Sequence, residues 1–220
     1  NNPADYSESN VPYIPKKFFK ISLEGVNEGD FTFIYGFPGR TQEYIHSEGV
    51  RYIEEVSDPH KIRLRTIRLD IQKKYMSQNQ AVRIMYSSKN ANVANAWKKW
   101  QGEVKGLKKM NTVEVKRKLE KDFDSWSADK EYNGLVSKIA GIYTELQPYA
   151  FATDYFNETI RAIELSTFAM NIARLYQKGF DSEELTKMAD TFYKDYHLPI
   201  DQETFIALMK EYGRNMPERF

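Results

Sequence analysis

Near Glu48 the spacing of apolar residues changes, and that change constrains the fold more than any single motif. From there to Gly213 apolar side chains recur at steps of three and four. Such steps put side chains on one face of an α-helix, whereas a step of two puts them on one face of a strand. Leu64, Ile67, Ile71 and Tyr75 form one stripe, and Val115, Leu119, Phe123 and Trp126 another. Leu135, Ile139, Ile142 and Leu146 follow, and further stripes centre on Ile163, Met188 and Leu208. Successive amphipathic helices with short connections bury their stripes against one another. The expectation is a mainly α fold, a multi-helix bundle over residues 48–220.

Capping signals place the helix ends. Asp58-Pro59 reads as an N-cap followed by proline at the first helical position, and Ser77-x-x-Gln80 as a capping box. Asn111 to Glu114 opens another helix, as does Asp181 with Glu184. Gln147-Pro148 predicts a helix end, because the residue before proline is pushed out of the α region. Gly179 and Gly213 read as C-terminal stops.

Residues 1–47 follow other rules. Residues 1–17 are polar and rich in turn formers, and read as a linker. Phe19, Ile21 and Leu23 alternate, as do Phe31, Phe33 and Tyr35. Gly36-Phe37-Pro38-Gly39 then predicts a tight turn into Thr41–His46, and so a short N-terminal β-hairpin segment. Two or three strands cannot close a barrel. The chain also opens Asn1-Asn2-Pro3-Ala4 without a methionine. It therefore reads as a piece of a longer protein, and its start carries no targeting information.

The line Gly29-Asp30-Phe31-Thr32, Gly36-Phe37-Pro38-Gly39-Arg40-Thr41 and Tyr44, joined to the helical sequence, resembles the bacterial serine dipeptidyl aminopeptidases of the dipeptidyl-peptidase seven and eleven family. That resemblance implies a chymotrypsin-like double β-barrel with an inserted helical cap domain. Residues 1–47 would be the linker and the β-hairpin segment of the second barrel, and residues 48–220 the cap. It implies a hydrolase that releases dipeptides from the N-terminus of oligopeptides, without a cofactor, as a homodimer. The location it implies is the periplasm or cell surface of a Gram-negative bacterium. In the family the catalytic His and Asp precede this stretch and the Ser follows it. No catalytic residue is therefore expected here, and the fragment is predicted to be inactive alone.

The residues themselves agree with that expectation. His46, His60 and His197 are the only histidines, and surface or capping roles are expected of them. No Gly-x-Ser-x-Gly elbow, His-Glu-x-x-His motif or calcium loop is present. There is no cysteine, so disulfides and thiolate zinc sites are excluded. A net charge of +1 gives no overall pull toward nucleic acid, and the lysine-rich stretch 98–121 reads as a solvated face. No apolar run approaches the ~20 residues of a membrane span.

The most informative stretch is Lys89 to Lys109, which sets Asn92 and Asn95 beside Trp97 and Trp100. Asparagine is a poor residue for a helix interior, so this reads either as a loop or helix start with aromatic anchors, or as a ligand-contacting patch. The pattern Asn95-x-Trp97-Lys98, with Gly102 and Gly106-Leu107, is similar to one in the family's helical domain. There the matching Asn helps hold the substrate's free N-terminus, which makes Asn95 the candidate substrate-binding residue. Two rivals stand beside this reading. One is a non-catalytic helical protein-interaction module, which needs an exposed apolar patch. The other is a nucleic-acid binder using the lysine-rich helix.

Overall fold

The structure is a computed structural model that describes Ser9, residues 11–36, residues 39–179 and residues 181–220. The chain divides into two units, Asn1–Thr41 and Gln42–Phe220.

In the first unit the described residues form neither helix nor strand. The expected β-hairpin is corrected accordingly: Phe31 is 90% exposed and Tyr35 98%. A strand exists only through a partner's hydrogen-bond ladder, and no described segment pairs with this one. What order remains is local. Asn27 N–H donates to the Asp30 carboxylate (2.7 Å), and Asp30 N–H to the Asn27 carbonyl (3.2 Å). The apex of the expected turn, Phe37 and Pro38, lies outside the described residues.

The second unit is helical throughout, as the apolar spacing predicts. Helix α1 (Ser47–Tyr52) passes through a π-helical turn (Ile53–Ser57) into α2 (Asp58–Gln78). Asp58-Pro59 is thus not the first start: the chain is already helical, and His46 caps α1 by accepting from Glu48 N–H. Helix α3 (Gln80–Lys109) follows after one residue, Asn79, and packs along α2. The Asn79 side chain accepts from Ala81 and Val82 N–H. Asn79, and not the expected Ser77 box, caps α3, because Ser77 is still helical and donates to the Lys74 carbonyl. The two form a hairpin of helices whose longer arm spans ~45 Å.

Helices α4 (Thr112–Ser127) and α5 (Leu135–Glu158) follow. Pro148 does not end a helix; α5 runs through it. Proline inside a helix costs about 3 kcal/mol, but packing on both sides holds this one. Tyr143 stacks on His46 at 5.8 Å and Phe151 meets the His60 ring of α2 edge-on at 5.1 Å. A Cβ on Gly49 would stand 2.8 Å from the Tyr143 ring, so any larger residue there would force the ring or α1 to shift.

The helical stripe centred on Ile163 does not lie in one helix. A 3₁₀ turn (Ile160–Ala162) separates α5 from α6 (Glu164–Lys178), and α7 (Ser182–Lys194) and α8 (Leu198–Asn215) complete the unit. The break is stabilised from outside: the Asp201 carboxylate of α8 accepts from Glu164 N–H (2.7 Å) and Leu165 N–H (3.0 Å). Asp181 caps α7 as expected, accepting from Glu184 N–H. Helix α8 runs two residues past Gly213.

Two apolar clusters hold the helices on α2. Leu64, Tyr155, Ala162 and Leu208 form one; Ile71, Val82, Tyr86 and Ile200 form the other. The one stripe of α2 therefore serves both clusters, its Leu64 end against α5 and α8 and its Ile71 end against α3 and α8.

Candidate functional site

The Asn-rich stretch lies within one unbroken helix, α3, so it is neither a loop nor a helix start. One face of α3 is fixed to α2. Trp97 Nε1–H donates to Thr66 Oγ1 at 2.9 Å, and Thr66 in turn donates to the Ile62 carbonyl. Lys61 Nζ and the Arg65 guanidinium lie over the Trp100 ring at 4.6 and 4.5 Å. Asn90 donates to Gln72 Oε1 at 3.0 Å. Both tryptophans are therefore anchors between helices.

Asn95 sits on the other side. It is exposed and precedes both anchors, at a rise of about 3 Å from Trp97 and about 7.5 Å from Trp100. Its neighbour one turn back, Asn92, is exposed as well. Residues three apart lie side by side on a helix, so the two amides share a face. That face carries polar groups which the packing of α3 on α2 leaves free.

On the α2 side of α3 lies an ion cluster. Arg65 grips the Glu158 carboxylate with both arms of its guanidinium at 2.8 Å, and its third arm reaches the Val93 carbonyl at 3.1 Å. Arg68 stands 3.8 Å from the same carboxylate. Burial pushes the Arg68 guanidinium below its ordinary pKa, and Glu158 works against that.

Around Asp58 the charge balance is different. Its Oδ1 pairs with Lys61 at 3.0 Å, but the buried Oδ2 has no partner. Burial foremost, and then Glu103, push its pKa up to about 6, while Lys61 pulls it down. The folded state thus favours the protonated acid, which can donate to Glu103. Asp58 adds most to stability below its ordinary value of 3.8, and that contribution is lost as the pH rises through about 6. Asp58→Asn, which mimics the acid, is expected to stabilise the chain at pH 7.5 by roughly 1–3 kcal/mol relative to its effect at pH 4. Melting curves of both proteins at the two pH values check this; an equal difference at both would refute it.

The histidines are structural, though not all at the surface. His46 is a cap; His197 precedes α8 and lies among Tyr75 and Tyr86. His60 hydrogen-bonds Tyr155 Oη at 2.9 Å, and burial keeps its pKa below the ordinary imidazole value. One grouping looks catalytic by composition: Ser47 Oγ, His46 and Glu120. Its wiring is wrong for a nucleophile. The hydroxyl donates to Glu120 at 2.6 Å, His46 Nδ1 accepts from backbone, and Ser47 is buried. Among the described residues no three His, Cys, Asp or Glu side chains are grouped to hold a metal, and no helix is long and apolar enough to cross a membrane.

The chain that carries Asn95, Asn92 and this ion cluster has clear relatives. A family model described as peptidase S46 matches residues 1–220. The Asp/Glu-specific dipeptidyl-peptidase of Flavobacterium psychrophilum is 41% identical over 234 residues, covering 100% of this chain and 33% of its own. Dipeptidyl-peptidase 7 of Phocaeicola vulgatus is 33% identical over 229 residues, covering 98% of this chain and 32% of its own. The crystal structure of Porphyromonas endodontalis DPP11 in complex with the dipeptide Arg-Glu superimposes with a TM-score of 0.72 at 27% identity, over 98% of this chain and 33% of that one. The chain spans about a third of the length of these relatives, and its helical fold matches a helical domain of that structure. The chain belongs to the peptidase S46 family.

Proposed function

We propose that this chain is the helical cap of a serine-type dipeptidyl-peptidase that releases dipeptides from the amino end of oligopeptides. The cap covers the cleft, excludes large folded substrates and helps hold the substrate's N-terminus through Asn95. The observation carrying this is the exposed Asn95 amide on a helix whose opposite face is fixed by Trp97 and Trp100. An amide oxygen accepts a hydrogen bond from an ammonium group, and a rigid helix sets its distance to the scissile bond. Closure of the cap over a bound peptide fits the way lids gate such sites. The relatives' names and the dipeptide bound to DPP11 support the peptide substrate.

In the whole enzyme Asn95→Ala is expected to lower kcat/KM about 10- to 100-fold, the loss of one hydrogen bond to a charged group. Unchanged kinetics on dipeptidyl substrates would overturn the role. The nucleophile and base are expected from polypeptide outside these residues. The 220-residue chain should therefore release no dipeptide from a chromogenic dipeptidyl substrate, and measurable turnover would refute that. The family resemblance supports a homodimeric enzyme in the periplasm or at the surface of a Gram-negative bacterium, which fractionation and sedimentation of the whole protein would check.

One observation favours the rival reading, a protein-interaction module. An open apolar groove of 360 Å³ runs between α4 and α5, lined by Leu119, Phe123, Leu135 and Ile139. If binding a protein partner through this groove were the chain's whole role, Asn95→Ala would leave the enzyme untouched while Leu119→Asp abolished association.

A further inference from the structure

The apolar clusters take in α3 at Val82, Met85 and Tyr86. Asn95 lies beyond them, at a rise of about 13.5 Å from Tyr86. Around Asn95 the helix is held on α2 by directional contacts instead. Asn90 donates to Gln72 Oε1 at 3.0 Å, the Val93 carbonyl accepts from Arg65 at 3.1 Å, and Trp97 Nε1–H donates to Thr66 Oγ1 at 2.9 Å. These contacts bracket Asn95 along α3.

They differ in stiffness. Gln72 and Arg65 are long side chains whose several torsions can follow a small turn of α3. Thr66 and Trp97 cannot follow one as easily. The Thr66 hydroxyl gives its one proton to the Ile62 carbonyl at 2.8 Å, so its oxygen meets the indole only as an acceptor. Its branched Cβ and this bond fix the rotamer, and the indole is a rigid ring. Rotation matters to Asn95. Side chains reach about 5–6 Å from a helix axis, so turning α3 by about 20° carries the Asn95 amide about 2 Å. A hydrogen bond tolerates far less, since its length spans only about 2.7 to 3.2 Å.

We propose that Thr66 is a positioning residue: through Trp97 it fixes the rotation of α3 and so holds the Asn95 amide where the amino end of a peptide meets it. Thr66 acts through α3 and not on the peptide. The inference deepens the function proposed above and rests on Asn95 as the group that contacts substrate; the link from Thr66 to Asn95 rests on the packing of α3 alone.

The test is a double-mutant cycle in the whole enzyme, read as kcat/KM on a chromogenic dipeptidyl substrate. Thr66→Val keeps the shape of the side chain and removes the acceptor. Alone it is expected to lower kcat/KM about three- to tenfold. In the Asn95→Ala enzyme the same change should alter kcat/KM by less than about twofold, because the group that Thr66 positions is gone. Thr66→Ser keeps the acceptor and should retain most of the activity. A merely structural Thr66 lowers kcat/KM by one factor in both backgrounds; that result, or unchanged kinetics in Thr66→Val, overturns the proposal. NMR of the isotope-labelled 220-residue chain gives a second readout. Thr66→Val should shift the Trp97 indole N–H and the Asn95 side-chain amide signals together, and a shift at Trp97 alone overturns the link. Should Thr66→Val fail to fold, Trp97→Phe, which keeps a ring and removes the donor, takes its place in the cycle. The two readings fail separately. If Asn95→Ala leaves kcat/KM unchanged, the substrate role of Asn95 falls and this proposal with it. If Asn95→Ala lowers kcat/KM and Thr66→Val adds its full factor on top, the substrate role stands and the positioning falls.

Discussion

Glu158→Ala should cost about 3–5 kcal/mol of stability, the usual penalty for removing one partner of a buried ion pair. The carboxylate is 8% exposed and lies at the C-terminal end of α5, where the helix dipole disfavours negative charge. It is held there by two arginines of α2. Truncation leaves Arg65 with two donors unmatched and Arg68 without its one ion-pair partner. In a chain of this size the loss corresponds to a fall in melting temperature of roughly 6–20 °C. Removing Arg65 as well should restore part of the loss, because the second deletion takes away a buried charge rather than a contact. Thermal melts of the single and double variants check both statements. A loss below about 1 kcal/mol for Glu158→Ala would mean that water already carries the arginines' charge.

Tyr86→Ala is expected to cost a similar amount, about 3–5 kcal/mol, by a different route. The ring is fully buried among Ile71, Val82 and Ile200, so its removal opens a cavity where α2, α3 and α8 meet. Its hydroxyl donates to Glu164 Oε1 at 2.7 Å and accepts from His197 N–H at 3.3 Å. Burial, and then the Glu164 charge, push the phenol well above its ordinary pKa, so it stays a donor at every working pH. Tyr86→Phe separates the two contributions. It keeps the ring but removes the Glu164 donor and the His197 acceptor, and should cost about 1–3 kcal/mol. Urea unfolding of the two variants gives the comparison. Equal losses would place all of the effect in the hydroxyl.

The two variants also separate what local sequence encodes from what it does not. The α-helical class, the stripes of α2, α4 and α8, and the Asp181 cap are legible in the chain, because each depends on residues within a turn or two of one another. The family relationship is legible too, through the Gly29–Tyr44 line and the Asn95-x-Trp97-Lys98 pattern. Helix ends set by distant groups are not. The stretch 159–163 continues a helical stripe, yet the chain turns there because Asp201, some 40 residues on, caps α6. Pro148 signals a stop, yet α5 continues because its flanks are packed on His46 and His60. The alternation of Phe31, Phe33 and Tyr35 signals a strand, yet no described segment supplies a ladder for it.

The candidate site divides along the same line. Composition and spacing single out Asn95 and its two tryptophans, since an asparagine in a helix interior is locally disfavoured and so stands out. The role of the tryptophans as anchors to α2, and the open side left to Asn92 and Asn95, follow only from the packing of α3. Arg68 carries no signal in the sequence, where it is one more charge in a charged helix. Its single long ion pair arises because Glu158, brought in from α5, already accepts from Arg65 at both oxygens. Local preferences determined which segments are helical. Which charges are left without a partner was decided by tertiary structure, because pairing depends on distances in space that no spacing along the chain records.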